Sequence, residues 1–238
     1  MRRDVSATLP WMGAGTEFLV QLVDALPDDA LRAPSGLPGW SRAHVVGHVA
    51  RNAEALARLA HWARTGVETP MYAGPGQRDA DIAASAAYPA DRLRRELSTT
   101  ADALDVALAA LDDTTWRAQV RSAQGRDIPA TEIPWMRVRE VWLHAVDLAS
   151  GAGVADLPPG VVDTLLDDVA AALSAAPDCP SATLAATDRA RTWALGPGEA
   201  AVQVHGPAAS LLGWLTGRSD GGALTALDGD LPTPPRWI

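Results

Sequence analysis

Four stretches before Gly151 repeat their large apolar residues every three or four positions, which restricts the first part of the chain to packed helices. The first covers about residues 9–26, where Phe18, Leu19, Leu22, Val23 and Leu26 share a face until Pro27 and Asp28-Asp29 stop it. The second begins after Pro38-Gly39-Trp40, with Ser41 as N-cap, and runs through Val45, Val49, Leu56 and Leu59 to Gly66. A loop rich in turn formers follows over residues 69–76. The third spans about 90–111 on Leu93, Leu97, Leu104 and Leu108, and the fourth about 133–149. Helices of this number and length fit a four-helix bundle, whose interior is a common place for a metal.

After Gly151 the pattern changes. Asp156-Leu157-Pro158-Pro159-Gly160 marks a boundary, and one helix is expected from Val161 to about Leu173. Short runs at 183–186, 192–195 and 201–205 read as strands, with Gly196-Pro197-Gly198 turning between two of them. A helix at 208–215 and a strand near 223–227 complete the expectation: an α+β protein whose N-terminal bundle, residues 1–152, precedes a smaller α+β domain, residues 156–238, with a short antiparallel sheet. The proline-rich tail is too irregular for either element, and Trp237 is expected to dock on the fold.

Charge narrows the function. The 20 basic residues are all arginines and the net charge is -9, which argues against nucleic-acid binding, since that needs a basic surface. An anionic substrate would need locally placed arginines. No signal peptide is expected behind Arg2-Arg3-Asp4, and no run approaches the roughly 20 apolar residues of a membrane span. With one cysteine, Cys179, no internal disulfide forms, and a reducing cytoplasm is the expected home of a monomeric protein. Nothing around Cys179 lowers its pKa, so any thiol chemistry must bring its sulfur from outside.

Two polar helical faces carry the chemistry. Glu140 and His144 fall one turn apart on the fourth helix, and His48 lies on the second, between Val45, Val49 and Asn52. Together they make a two-imidazole, one-carboxylate set with an open position, the donor set of a catalytic zinc. The plain alternative is a solvated face, with Arg137–Glu140 and His144–Asp147 pairs worth about 0.2–0.5 kcal/mol each opposite a stripe of Trp135, Val138, Trp142, Ala145 and Ala149. His44 lies further from the core than His48; His61 and His205 receive no role. Gly217-Arg218-Ser219-Asp220 offers a guanidinium in a glycine-flanked loop, either turn chemistry or a clamp for a carboxylate.

Longer motifs make the chain specific. Gly39-Trp40-Ser41-Arg42-Ala43-His44, His48-Val49-Ala50-Arg51-Asn52 and residues 61–72 resemble the mycothiol-dependent maleylpyruvate isomerases of actinobacteria. So do Ala123-Gln124-Gly125-Arg126, Trp135-Met136-Arg137, Arg139-Glu140-Val141-Trp142, His144-Ala145-Val146-Asp147-Leu148 and Pro234-Pro235-Arg236-Trp237. The bundle also resembles the wider DinB-like metal-binding superfamily, which includes other thiol transferases. The resemblance implies zinc held by His48, Glu140 and His144, a catalytic arginine at Arg218, and mycothiol as thiol cofactor. It implies that maleylpyruvate becomes fumarylpyruvate, as in gentisate-type aromatic degradation, by conjugate addition of a thiolate, bond rotation and expulsion of the thiol. Zinc then ionises the thiol or polarises the substrate ketone, Arg218 neutralises a carboxylate or the enolate, and Asp147 supports a histidine ligand. A mycothiol S-transferase and a non-enzymatic metal-stabilised binding module are the alternatives.

Overall fold

The computed structural model describes residues 4–200 and 202–237, so Arg2 and Arg3, Ala201 of the third expected strand and the terminal Ile238 lie outside them. The chain forms two compact units, residues 1–152 and 153–238.

The first unit is built on α1 (Val5–Ala25), α2 (Arg42–Thr65), α3 (Gln77–Ala86), α4 (Ala90–Ala109) and α5 (Ile133–Asp147). Helix α1 begins four residues earlier than its apolar pattern because the Asp4 carboxylate accepts from the Ser6 amide at 2.9 Å and caps it. Helix α2 has the expected limits. Ser41 caps its start, and Gly66 ends it in the left-handed region at φ 73°, which a residue with a Cβ enters only with strain. Helix α1 packs on α5 and α4, and α2 packs on α4 and α5, so the four long helices close a ring around the core. The seam between α1 and α5 is aromatic. Phe18 stacks on Trp142 at 5.4 Å, Trp11 meets Trp135 edge-on at 6.4 Å, and the Trp142 indole donates to the Trp11 carbonyl.

Helix α3 was not apparent from periodicity. It carries one large apolar residue, Ile82, and otherwise buries only small side chains. Its docking on α2 depends on Gly47, where a Cβ would lie 2.7 Å from the Ser85 Cβ. A two-stranded hairpin, β1 (Gln119–Arg121) and β2 (Asp127–Pro129), also escaped notice because each strand has three residues. On α5 the expected apolar stripe of Trp135, Val138, Trp142 and Ala145 is buried, but Ala149 is not part of it. The helix stops at Asp147, and Ala149 is exposed with φ 51°.

The second unit contains α6 (Pro159–Ser174), β3 (Ala182–Ala186), β4 (Thr192–Leu195), β5 (Val202–Gly206), α7 (Ala208–Leu215) and β6 (Thr225–Leu227). Its sheet runs β4-β3-β5-β6. The outer pairs are antiparallel, as expected of a short antiparallel sheet, while the central pair β3–β5 is parallel. The turn at Gly196-Pro197-Gly198 explains this: instead of pairing β4 with β5, it carries the chain across the start of β3. Gly196 has φ 78°, and a Cβ there would lie 2.5 Å from the Pro180 carbonyl oxygen, so the crossing requires glycine. Helices α6 and α7 pack on each other and on the sheet, burying Leu165 and Leu166 of α6 and Leu211 and Leu212 of α7. Trp237 is half-buried. No described helix is long and apolar enough to cross a membrane.

Candidate metal centre

Helix α2 delivers His48 to the bundle interior, where it is 4% exposed. One turn before it, His44 serves the backbone instead: its Nδ1 accepts from the Ser41 amide at 3.2 Å and completes a capping box. Helix α5 faces α2 with Glu140 and His144 on adjacent turns. The His48 Nε2 lies 2.7 Å and the His144 Nε2 3.2 Å from the same Glu140 oxygen. The two rings stand at 90° with centroids 4.7 Å apart, and Trp40 lies edge-on to His48 at 5.6 Å. One donor atom from each of His48, Glu140 and His144 lies within 4.8 Å of the others.

The polar face of α5 is therefore not solvated. Arg137, expected on that face, is 1% exposed, and Asp147 is 3% exposed. The Arg137 Nη1 donates to the Val49 carbonyl at 2.7 Å and to the Asn52 side chain at 3.0 Å, joining α5 to α2 beside the ligand set. Burial pulls its pKa down to about 10, with Glu140 and Asp105 opposing the shift. The ends of the same two helices are tied as well. The Arg42 guanidinium donates to the carbonyls of Leu148 and Ala149, both at 2.7 Å, and so caps the C-terminus of α5.

Protonation follows from this geometry. Burial lowers the pKa of His48 despite the nearby Glu140 carboxylate, so this ring favours the neutral, ligating form. Burial alone would lower His144 too. Its Nδ1, however, lies 2.9 Å from the Asp147 carboxylate and its Nε2 faces Glu140, and together these raise its pKa. Burial would raise Glu140, but the two imidazoles hold its carboxyl well below the usual range. Two ring nitrogens and an ionised oxygen aimed at one point, with Asp147 fixing the tautomer of one ring, match a two-nitrogen, one-oxygen site for a divalent ion.

Two groups near this centre carried no signal in helical spacing. Tyr72, in the loop between α2 and α3, sits beside the Arg78 guanidinium and within the electrostatic reach of Glu140, and its burial raises the pKa of its phenol. Arg78, in the first turn of α3, also acts on His48. For Tyr72 the hints were an aromatic residue among prolines and glycines and its place at the end of the family-like stretch 61–72.

Arg218 belongs to the second unit, in the turn after α7. Gly217 takes φ 70° there, the Arg218 amide donates to the Gly213 carbonyl at 2.7 Å, and its side chain is half-buried. Cys179 is buried beside Pro180, and that burial pushes its thiol pKa up, the opposite of an activated nucleophile. His61 is exposed, and the His205 Nε2 lies 3.3 Å from the Gln203 side chain.

The chain as a whole is similar to known proteins. Residues 12–149 match the family model of the mycothiol maleylpyruvate isomerase N-terminal domain, and residues 156–236 that of the family's C-terminal domain. The crystal structure of a mycothiol-dependent maleylpyruvate isomerase shares 34% identity over 99% of this chain and 98% of its own, with a TM-score of 0.92. A histidine-to-alanine mutant of that isomerase matches over the same lengths with a TM-score of 0.90. No protein of curated function matches the chain.

Proposed function

On the premise that this chain belongs to the mycothiol-dependent maleylpyruvate isomerase family, we propose that it converts maleylpyruvate to fumarylpyruvate with mycothiol and a zinc ion. The observation that carries the proposal is the convergence of His48, Glu140 and His144 within 4.8 Å between α2 and α5. A divalent ion there supplies Lewis acidity, which ionises a thiol or polarises a ketone, and the added thiol makes the cis double bond temporarily single.

The chain's own residues have distinct tasks. His48 and His144 offer neutral imidazole nitrogens, and Glu140 offsets the ion's charge while remaining ionised. Asp147 accepts from the His144 Nδ1, which keeps Nε2 aimed at the ion. Arg137 holds α2 against α5 and so sets the spacing of ligands that come from different helices. Tyr72 is a phenol at neutral pH, its pKa pushed by burial further above the ordinary tyrosine value, so it is a hydrogen-bond donor at the edge of the centre. Arg218 is assigned the substrate's carboxylate, since a planar guanidinium pairs with it through two parallel hydrogen bonds. This local charge compensates for a net charge of -9, which by itself repels a diacid. A reaction that uses a reduced thiol and a protein with a single cysteine both suit the cytoplasm. The place we assign is the isomerisation step of gentisate-type aromatic catabolism, performed by a monomer.

The deciding experiment combines metal content with maleylpyruvate turnover in the presence and absence of mycothiol. Catalytic formation of the trans isomer with free thiol conserved supports the assignment. Stoichiometric loss of thiol identifies a mycothiol S-transferase instead.

A further inference from the structure

Arg137 carries more charge into the bundle than its contacts use. The side chain is 1% exposed, yet only Nη1 is engaged, donating to the Val49 carbonyl and the Asn52 side chain. Nε and Nη2 are buried without a hydrogen-bond partner. These two nitrogens form the side-on fork with which a guanidinium ordinarily grips a carboxylate. No carboxylate of the described residues takes it: Glu140 and Asp105 act on Arg137 only from a distance. A buried cation without a paired anion is costly. A strut between helices does not require one, since a neutral donor can serve the same acceptors.

The position of this charge follows from the backbone. On α5, Arg137 precedes Glu140 by three residues, so the two side chains are neighbours on one face. On α2, Val49 directly follows His48, and Asn52 lies one turn beyond it. The hydrogen bonds from Nη1 therefore hold the guanidinium about one helical turn from the ligand set, between the same two helices.

Formal charge then decides what the centre prefers. Glu140 and Asp147 are negative and Arg137 is positive, so the group without an ion is one charge negative. A divalent ion takes it to one positive charge, and an anionic ligand in the open position brings it to zero. With a neutral residue in place of Arg137, the ion alone reaches zero, and a bound anion leaves a negative charge uncompensated in a partly dry interior. Two other charges act on the set but count for less. Arg78 is paired with Asp79 at 2.9 Å in reach of water, and Asp105 is exposed, so solvent screens both. We propose that Arg137 makes the open coordination position selective for anionic ligands, such as a thiolate, over neutral ligands of similar size. The inference rests on the metal-dependent isomerase reading and deepens it. Arg137 acts here as a positioning residue, through the field at the ion and not by touching the ligand.

The test uses the full-length protein loaded with cobalt(II) in place of zinc, whose visible absorption changes when a ligand enters the open position. Azide serves as the anionic probe, and imidazole, at a pH where it is neutral, as the uncharged one. In Arg137→Gln, whose amide can still donate to Val49, azide affinity should fall about tenfold while imidazole affinity changes less than about twofold. Zinc affinity, measured by competition with a chelator, should hold or tighten, because a nearby positive charge is gone. A residue that only spaced the helices would weaken zinc, azide and imidazole together. Arg137→Met, which loses both contacts, is the second variant, and its azide-to-imidazole ratio should fall by the same factor. An unchanged ratio in either folded variant overturns the inference. A wild type that binds no cobalt sinks the metal reading and this inference together, whereas a loaded wild type without mycothiol-dependent turnover sinks the isomerase reading alone.

Discussion

On the second unit, Asp163 and Asp167 of α6 meet Arg189 and Arg191 at 2.7–3.2 Å, and Trp193 adds an indole donor to Asp167 at 2.8 Å. In the bundle, His48, Glu140, His144 and Asp147 stand at similar distances from one another. The first group spreads over a surface and alternates in sign, so each charge has a partner and water shares the load. The second has His48 and Asp147 buried and Glu140 and His144 part-buried, and it points two imidazoles at one carboxylate oxygen. Contact distance alone does not separate the two groups. Convergence does: a ladder of paired surface charges adds stability in small amounts, whereas two imidazoles and a carboxylate drawn to one point are expensive to assemble and signal function.

The sharpest way to break this contrast is to remove a ligand. His48→Ala or Glu140→Ala should abolish stoichiometric zinc binding and lower mycothiol-dependent turnover by more than about 100-fold, beyond the range of a merely supporting residue. The metal-free variants should melt close to the metal-free wild type. A bundle that instead unfolds on loss of the ion would make the metal structural. Next in size is Asp147→Asn, which leaves the His144 ring in place without its anionic partner. Zinc affinity measured by competition with a chelator should fall about 10–100-fold.

Acidity tests the same site without mutation. The pKa of His144 in the metal-free fold is raised, so its protonated form stabilises that fold below the ordinary histidine range, and this contribution is lost as pH rises through the raised value. The ion needs the neutral ring. Zinc affinity should therefore strengthen with rising pH through that window, by up to about tenfold per unit for one displaced proton, and then level off. A flat affinity profile would mean that His144 is not a ligand.

Arg137→Met should cost about 1–3 kcal/mol in urea unfolding, because the Val49 carbonyl and the Asn52 side chain lose a buried donor. Smallest of all, Arg191→Ala on the exposed ladder should change stability by about 1 kcal/mol or less and leave zinc content intact. If Arg191→Ala proved as costly as Arg137→Met, the distinction between the two charge clusters would fail.

The parts of this molecule that could be read from sequence are those where one signal is local and strong. Ser41 and Gly66 fix both ends of α2, and leucine spacing fixes α4. Helix α3 was hidden because it buries only Ile82, Ser85 and Ala86 while other alanines are exposed, which leaves no periodic contrast, and its docking depends on one missing Cβ at Gly47. The ligands were visible as residue types at helical spacing. The burial of Arg137 was not, because a polar stripe reads the same whether it faces water or a second polar stripe. The parallel β3–β5 pair was hidden for a related reason: a glycine-proline-glycine turn shows where the chain bends but not which strand it passes over.

The close seating of α3 on α2 separates two kinds of change. Ser85 rests against the backbone at Gly47, next to a ligand, and this contact can stay fixed while the loop at residues 67–76 accumulates substitutions. Evolutionary drift in that loop is therefore separable from the packing that seats the His48 segment of α2.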